Sequence, residues 1–108
     1  MFSKPQPWSA GDATDAIRGI ARSDCLELIM TKHARVQAAE RSLIASDVLY
    51  VLKNGFVYDE PQVSTQRGCY KYAIESRSPN SGSRTVRIIT VPNDQSCTLK
   101  VVTVMWVD

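Results

Sequence analysis

A chain of 108 residues and 12.0 kDa has room for one small domain and not for two. Hydrophobic residues at 44% and charged residues at 22% exclude a disordered tail. A formal net charge of +2 is too small to mark the whole chain as a polyanion binder.

In chain order, residues 1–8 carry one Lys and two prolines, with no apolar run of the kind a signal peptide needs. Ser9 or Asp12 then caps a first helix that runs to about Arg22, with Ile17, Ile20 and Ala21 on one side. Cys25 to Met30 reads as a short strand. Thr31 supplies an N-cap oxygen for a helix over Lys32 to Arg41, which contains no Gly and no Pro. After a break at Ser42-Leu-Ile-Ala, Ser46 is expected to cap another helix with Val48, Leu49, Val51 and Leu52 as its apolar stripe. Gly55 falls where a left-handed C-terminal residue belongs.

From Phe56 the apolar period changes to two. Phe56 to Glu60 reads as a short strand ended by Pro61, and Gly68 to Ser76 as a second with Tyr70, Tyr72 and Ile74 on one face. Ser78-Pro-Asn-Ser-Gly is a turn, Arg84 to Val91 a third strand, and Pro92-Asn-Asp another turn. Cys97 to Val107 is nearly all apolar and β-branched, which predicts a central strand covered on both faces. It is far shorter than the ~20 residues a membrane span needs. The pattern predicts a single α+β domain over residues 1–108: helices packed on one face of a four-stranded antiparallel sheet, with residues 1–24 as an N-terminal extension and helix and 25–108 as the core.

Three cysteines, Cys25, Cys69 and Cys97, are an odd and widely spaced set without CxxC, so buried free thiols are expected rather than a disulfide framework. A structural zinc site needs four Cys or His ligands, and His33 is the only histidine. A soluble, cytoplasmic protein without metal or cofactor follows as the expectation.

Charge is unevenly spread. Residues 1–30 hold three basic and four acidic side chains, whereas 31–53 carry a local +2 and 67–104 a local +4. A sheet face with that bias suits a polyanion, although scattered solvated charges on a sheet surface have the same composition. His33 falls in the first helical turn after Thr31, with Gln37 and Arg41 following at spacings of four on the same face and Glu40 beside them. A helix N-terminus favours anions, so an imidazole there can shuttle a proton beside a phosphate, or serve only to pin the helix hairpin. Tyr58, Tyr70, Tyr72 and Trp106 are candidates for stacking on bases, or for the core. No Gly-rich phosphate loop, paired acidic metal site or GxSxG elbow occurs. No helix-turn-helix with a basic recognition helix occurs either, since Val48 to Leu52 is too apolar.

The segment IMTKHARVQAAERSLIASDVLYVLKNG, residues 29 to 55, resembles the domain of unknown function 4258 family. His33, Ala34, Glu40, Arg41, Asp47, Val48, Leu52 and Gly55 match its first half, and Thr103, Val104 and Trp106 match its ending within VVTVMWVD. Two positions depart from the family pattern. Gln37 stands where an arginine is usual, and Ser42 replaces the glycine after the Glu-Arg pair, so the turn there must be made differently. The resemblance implies the compact fold of barnase-like, colicin-like and RelE-like toxins, and metal-independent RNA cleavage by the toxin of a toxin–antitoxin pair. RNA and an antitoxin protein would then be the partners, with no membrane involved. It implies His33 as acid or base, with Arg41 and Thr103 completing the catalytic set. Lys71, Arg77 and Arg87 would hold phosphate, and Trp106 would pack or stack. A non-catalytic protein- or RNA-binding module on the same fold is the alternative reading.

Overall fold

The structure, a computed structural model, describes residues 4–107. Residues 1–3 and 108, part of the expected domain, lie outside the described residues. Three helices, α1 (Ala10–Ala21), α2 (Lys32–Glu40) and α3 (Ala45–Asn54), combine with β1 (Glu27–Met30), β2 (Phe56–Val57), β3 (Gln62–Val63), β4 (Tyr70–Ser76), β5 (Val86–Asn93) and β6 (Thr98–Trp106). The class is α+β.

The sheet is mixed and has six strands, in the order β1-β6-β5-β4-β2 with β3 also on β4, rather than four antiparallel ones. β4, β5 and β6 form the expected antiparallel meander. β1 is the addition: it pairs parallel to β6, Glu27 opposite Thr98 and Met30 opposite Val101. Short turns make consecutive strands antiparallel, but β1 is separated from its partner by the helices and the whole meander. The strand expected over Phe56 to Glu60 stops after Val57 and resumes as Gln62–Val63, both pieces lying on the outer edge of β4. Pro61 sits in the interruption, where its missing N–H costs no ladder bond.

Ser9 Oγ accepts from Asp12 N at 3.2 Å and Thr31 Oγ1 from Ala34 N at 3.1 Å, so Ser9 rather than Asp12 caps α1, and Thr31 caps α2 as expected. The cap of α3 differs. Ile44 occupies the N-cap position, and the Asp47 carboxylate reaches back to accept Ile44 N at 2.9 Å, leaving Ser46 inside the helix. Gly55 is extended, at φ −78 and ψ 179, not left-handed. Its glycine is required by close approach instead: a Cβ there would lie 2.6 Å from Val51 O and 2.9 Å from Glu75 O. Ser42, by contrast, does take the left-handed conformation at φ 56, so the turn is made with the backbone a glycine would use. The end of α3 is tied down from α1, where Arg18 Nε donates to Gly55 O at 2.8 Å and Arg22 Nη2 to Lys53 O at 2.6 Å.

The core lies on one face of the sheet. Tyr72 and Ile74 of β4, Val86 and Ile88 of β5, and Leu99, Val101 and Val104 of β6 meet Ile17, Val48, Val51 and Leu52 of α1 and α3. Trp8 stacks on Tyr72 with ring centroids 5.4 Å apart, and the Trp8 backbone N–H donates to the Tyr72 hydroxyl at 2.9 Å. The N-terminal helix is therefore part of the core. Only one face of β6 is fully buried, so the expected double covering of this strand does not occur. Its other face stays open because no helix crosses it.

The thiol expectation fails for two of the three cysteines. Cys25 and Cys97 form a disulfide across the start of the β1–β6 pair, with Cα atoms 6.0 Å apart, while Cys69 is free and buried. Sequence spacing of 72 residues hid a neighbour relation that the parallel pairing of β1 creates. Burial pushes the Cys69 thiol up from its ordinary value, and the nearby Asp94 charge adds to that. Among the described residues no helix is long and apolar enough to cross a membrane.

Candidate functional site

The open face of the sheet can be read from the register, because residues directly opposite on paired strands share a face. Ile74, Ile88 and Val104 align on the core side, so their neighbours Ala73, Ile89 and Thr103 align on the open side. Lys71 of β4 and Lys100 of β6 lie on that side too, as do the Glu75–Arg87 pair and Met105. A bulge keeps this arrangement in step: Ile89 pairs with Thr103 but Thr90 with Val101, leaving Val102 extra in β6. Both Val102 and Thr103 consequently line the open face.

There they form a cavity of about 280 Å³ with Lys71, Lys100, Val91 and the loop at Ser64–Gln66. The loop is held rigidly. Ser64 Oγ donates to Cys69 O at 2.7 Å and accepts from Gln66 N at 3.1 Å. Among the described residues neither lysine makes an ion pair. Two ammonium groups without an ion-pair partner among the described residues thus line one cavity beside a threonine hydroxyl, all three of them groups that can donate a hydrogen bond.

The helix that carries His33, α2, runs beside the β6 edge of this face. Thr31 N donates to Val101 O at 3.0 Å, and Val104 N donates to Gln37 Oε1 at 2.8 Å. The first two turns of α2 therefore run beside Val101 to Val104, in the position that β1 leaves after Met30. At about 100° per residue, His33 lies about 40° around the helix from Gln37, away from the core-facing Ala34 and Ala38. His33 is exposed on that side of the helix, and it is not among the residues that line the cavity. Gln37 explains its own departure from the family pattern: its amide supplies the acceptor that a strand would have given Val104 N.

The other candidates lie apart from the residues that line the cavity. Arg41 sits eight residues beyond His33, about 12 Å along the axis. Its Nη1 donates to Gln37 O at 3.1 Å and lies 3.6 Å from Glu40 Oε1, so it closes the end of its own helix. Arg87 is on the open face, but its Nε donates to Glu75 Oε2 at 2.9 Å. Arg77 is exposed just past the end of β4. Trp106 pairs with Val86 and packs on the core side, opposite to Thr103, with the Arg84 guanidinium 4.0 Å above its ring. Of the tyrosines, Tyr72 is core and Tyr58 is exposed, stacked on Phe56.

Lys100 and the Ser64–Gln66 loop were the residues the sequence did not single out. Lys100 appeared only in the charge count, because its face depends on the bulge at Val102, two positions later. Among the described residues no group of three His, Cys, Asp or Glu side chains gathers as a metal site would.

Comparison with curated proteins gives no match, and neither does comparison with solved structures. A family profile does match, described as Domain of unknown function (DUF4258), and it spans residues 30–106. That span begins at the last residue of β1 and takes in α2, the cavity and the end of β6, so it contains every element that builds the open-face site. The chain belongs to the DUF4258 family.

Proposed function

We propose that the open sheet face binds RNA and cleaves it without a metal ion, with the ribose 2′-hydroxyl attacking the adjacent phosphorus. The observation that carries this reading is the convergence of Lys71 and Lys100, without an ion-pair partner among the described residues, with Thr103 around one cavity, on the sheet whose strand β6 runs beside the helix of exposed His33. In that chemistry the His33 imidazole moves a proton from the 2′-oxygen or to the leaving 5′-oxygen. The two ammonium groups oppose the charge that gathers on the phosphoryl oxygens, and the Thr103 hydroxyl donates to one of them. The short reach of a threonine makes it a positioning group for the phosphate rather than a proton carrier. A compact ribonuclease of barnase- or RelE-like architecture, acting in the cytoplasm as a toxin held by an antitoxin protein, is the biological role that fits this chemistry.

The runner-up is a module that binds RNA or protein on the same face without cutting. One observation favours it: Arg41 and Arg87, two of the cations assigned to phosphate, are already engaged within the fold. A fluorescently end-labelled single-stranded RNA, incubated with the wild-type chain and with His33→Ala in EDTA, separates the two. Cleavage by the wild type, lost in His33→Ala at an unchanged thermal midpoint, is the expected result. Retention of intact RNA on the wild-type protein selects the binding module instead.

A further inference from the structure

A larger cavity than the one on the open face lies elsewhere. It measures about 810 Å³ and opens between the second half of α1 and the β5–β6 turn. Its wall contains the Cys25–Cys97 disulfide, and its charged lining is two carboxylates, Asp15 and Asp94, with no Lys or Arg. The chain as a whole has a formal net charge of +2, so the lining of this cavity is opposite in sign to the total. Gly19 forms part of the floor, and a Cβ built there would meet nothing within 4 Å. Cys25 is exposed and Cys97 half-buried, so the bond can be approached from the cavity.

Two further features bear on reactivity. Ser23 Oγ lies 3.0 Å from Cys25 Sγ and 3.5 Å from Cys97 Sγ, close enough to donate to a sulfur that becomes negative. Cys97 also holds φ at 58, a left-handed turn position that glycine or asparagine would occupy at lower cost. An accessible disulfide of this kind belongs to the labile, exchangeable class rather than to the buried structural one.

We propose that this cavity is a thiol–disulfide exchange site for a thiol on a cationic carrier, and that Cys25 Sγ is the atom attacked. The incoming thiolate forms a bond to Cys25 Sγ as the Cys25–Cys97 bond breaks. Cys97 leaves with the electron pair as a thiolate, steadied by the Ser23 hydroxyl, and takes a proton from water. A second equivalent of the thiol then attacks the mixed disulfide, releasing Cys25 as a thiol and the carrier as its own disulfide. Two thiols are oxidised and one protein disulfide is reduced, so the electrons balance. The ammonium or guanidinium of the carrier sits against Asp15 and Asp94, which repel an anionic thiol such as glutathione. This site stands apart from the open face and does not depend on RNA being its ligand.

The test follows mixed-disulfide formation by intact-protein mass spectrometry. Cysteamine, the tripeptide Lys-Cys-Lys, glutathione and neutral mercaptoethanol are compared, each normalised to its rate with an unfolded peptide disulfide. The expected result is a normalised preference of tenfold or more for the cationic thiols over glutathione, with adducts on Cys25. A larger preference for Lys-Cys-Lys than for cysteamine assigns the carrier to a basic peptide, and the reverse order to a small aminothiol. In Asp15→Asn/Asp94→Asn the preference falls to near one. Gly19→Leu, which fills the cavity and favours the helix, slows exchange with the cationic thiols to the rate of glutathione. Equal normalised rates for all four thiols overturn the proposal, as does a preference that survives both variants.

Discussion

The two faces of this sheet are made by the same strands and differ in almost everything else. On the helix-covered face Ile74, Ile88, Val101 and Val104 are fully buried, and the polar group among them, Thr90, donates to Lys100 O at 3.0 Å. On the open face Lys71, Lys100 and Thr103 surround a cavity and are not consumed by the fold. A strand alternates its side chains, so a single residue step separates a position that holds the protein together from one that is free for a ligand. That contrast teaches where to look for function on a sheet that is covered on one face.

Adjacent residues on β5 give the sharpest way to break the contrast. Ile88→Ala removes a side chain with 0% exposure and is expected to cost about 2–5 kcal/mol. Ile89→Ala, one residue on and half-exposed on the open face, is expected to cost well under half as much. Urea unfolding monitored by circular dichroism measures both. Comparable losses would mean that the open face is covered in solution, for instance by a second chain. Next in size is the disulfide, which closes a sequence separation of 72 residues. Cys25→Ser/Cys97→Ser, or reductant on the wild type, should remove about 2–4 kcal/mol. A smaller loss would show that the hydrogen bonds Glu27 N to Cys97 O and Thr31 N to Val101 O already hold β1 without it.

Much of the covered face was legible in the sequence, and much of the open face was not, for a physical reason. Helix and strand periodicities reflect burial, so α1, α2, α3 and the β4–β6 meander follow from the apolar spacing. The helix expected from Thr31 begins there because a hydroxyl cap is a local device. Nothing local marks β1 as parallel to β6, and with that pairing went both the disulfide and the six-stranded order. The site divides the same way. α2 continues the line of β1 beside β6, so the helix of His33 and the strand of Thr103 are neighbours. Lys100 depended on a bulge at Val102 that no composition signals, and Arg41, Arg87 and Trp106 were spent on a helix end, an ion pair and the core.

A third effect tests the covered side at its polar margin. Asp47 is 3% exposed, and burial alone would raise its carboxyl. Hydrogen bonds from Ile44 N, the Ser78 hydroxyl and Asn80 outweigh that and hold it below the ordinary carboxylate value. A folded value below the unfolded one means that the ionised carboxylate stabilises the fold above about pH 4. That stability is lost as pH falls through the folded value. The thermal midpoint of the wild type should therefore drop more steeply between pH 5 and pH 3 than that of Asp47→Asn (an acid range, about one unit either side of the free carboxyl). Parallel curves would assign the acid sensitivity to other carboxylates.

The smallest effect on stability carries the most information about the open face. Lys100 sits on a half-exposed position of β6 without an ion-pair partner among the described residues, so Lys100→Ala should move the unfolding free energy by no more than about 0.5 kcal/mol. If the cavity holds a phosphate of single-stranded RNA, the same change removes one released counterion. The plot of log K against log salt should then flatten by about 0.7. Lys71→Ala should flatten it by a similar amount, because both ammonium groups line one cavity. Arg87→Ala serves as the internal control, since its guanidinium is already neutralised by Glu75 at 2.9 Å and should leave the slope nearly unchanged. A flattening in Arg87→Ala and none in Lys100→Ala would move the RNA path off the cavity and along the other end of the sheet. Equal flattening in all three would mean that the face acts as a diffuse positive surface. Only the ordered result, two lysines felt and one arginine silent, distinguishes a built phosphate site from the net charge of the strands around it.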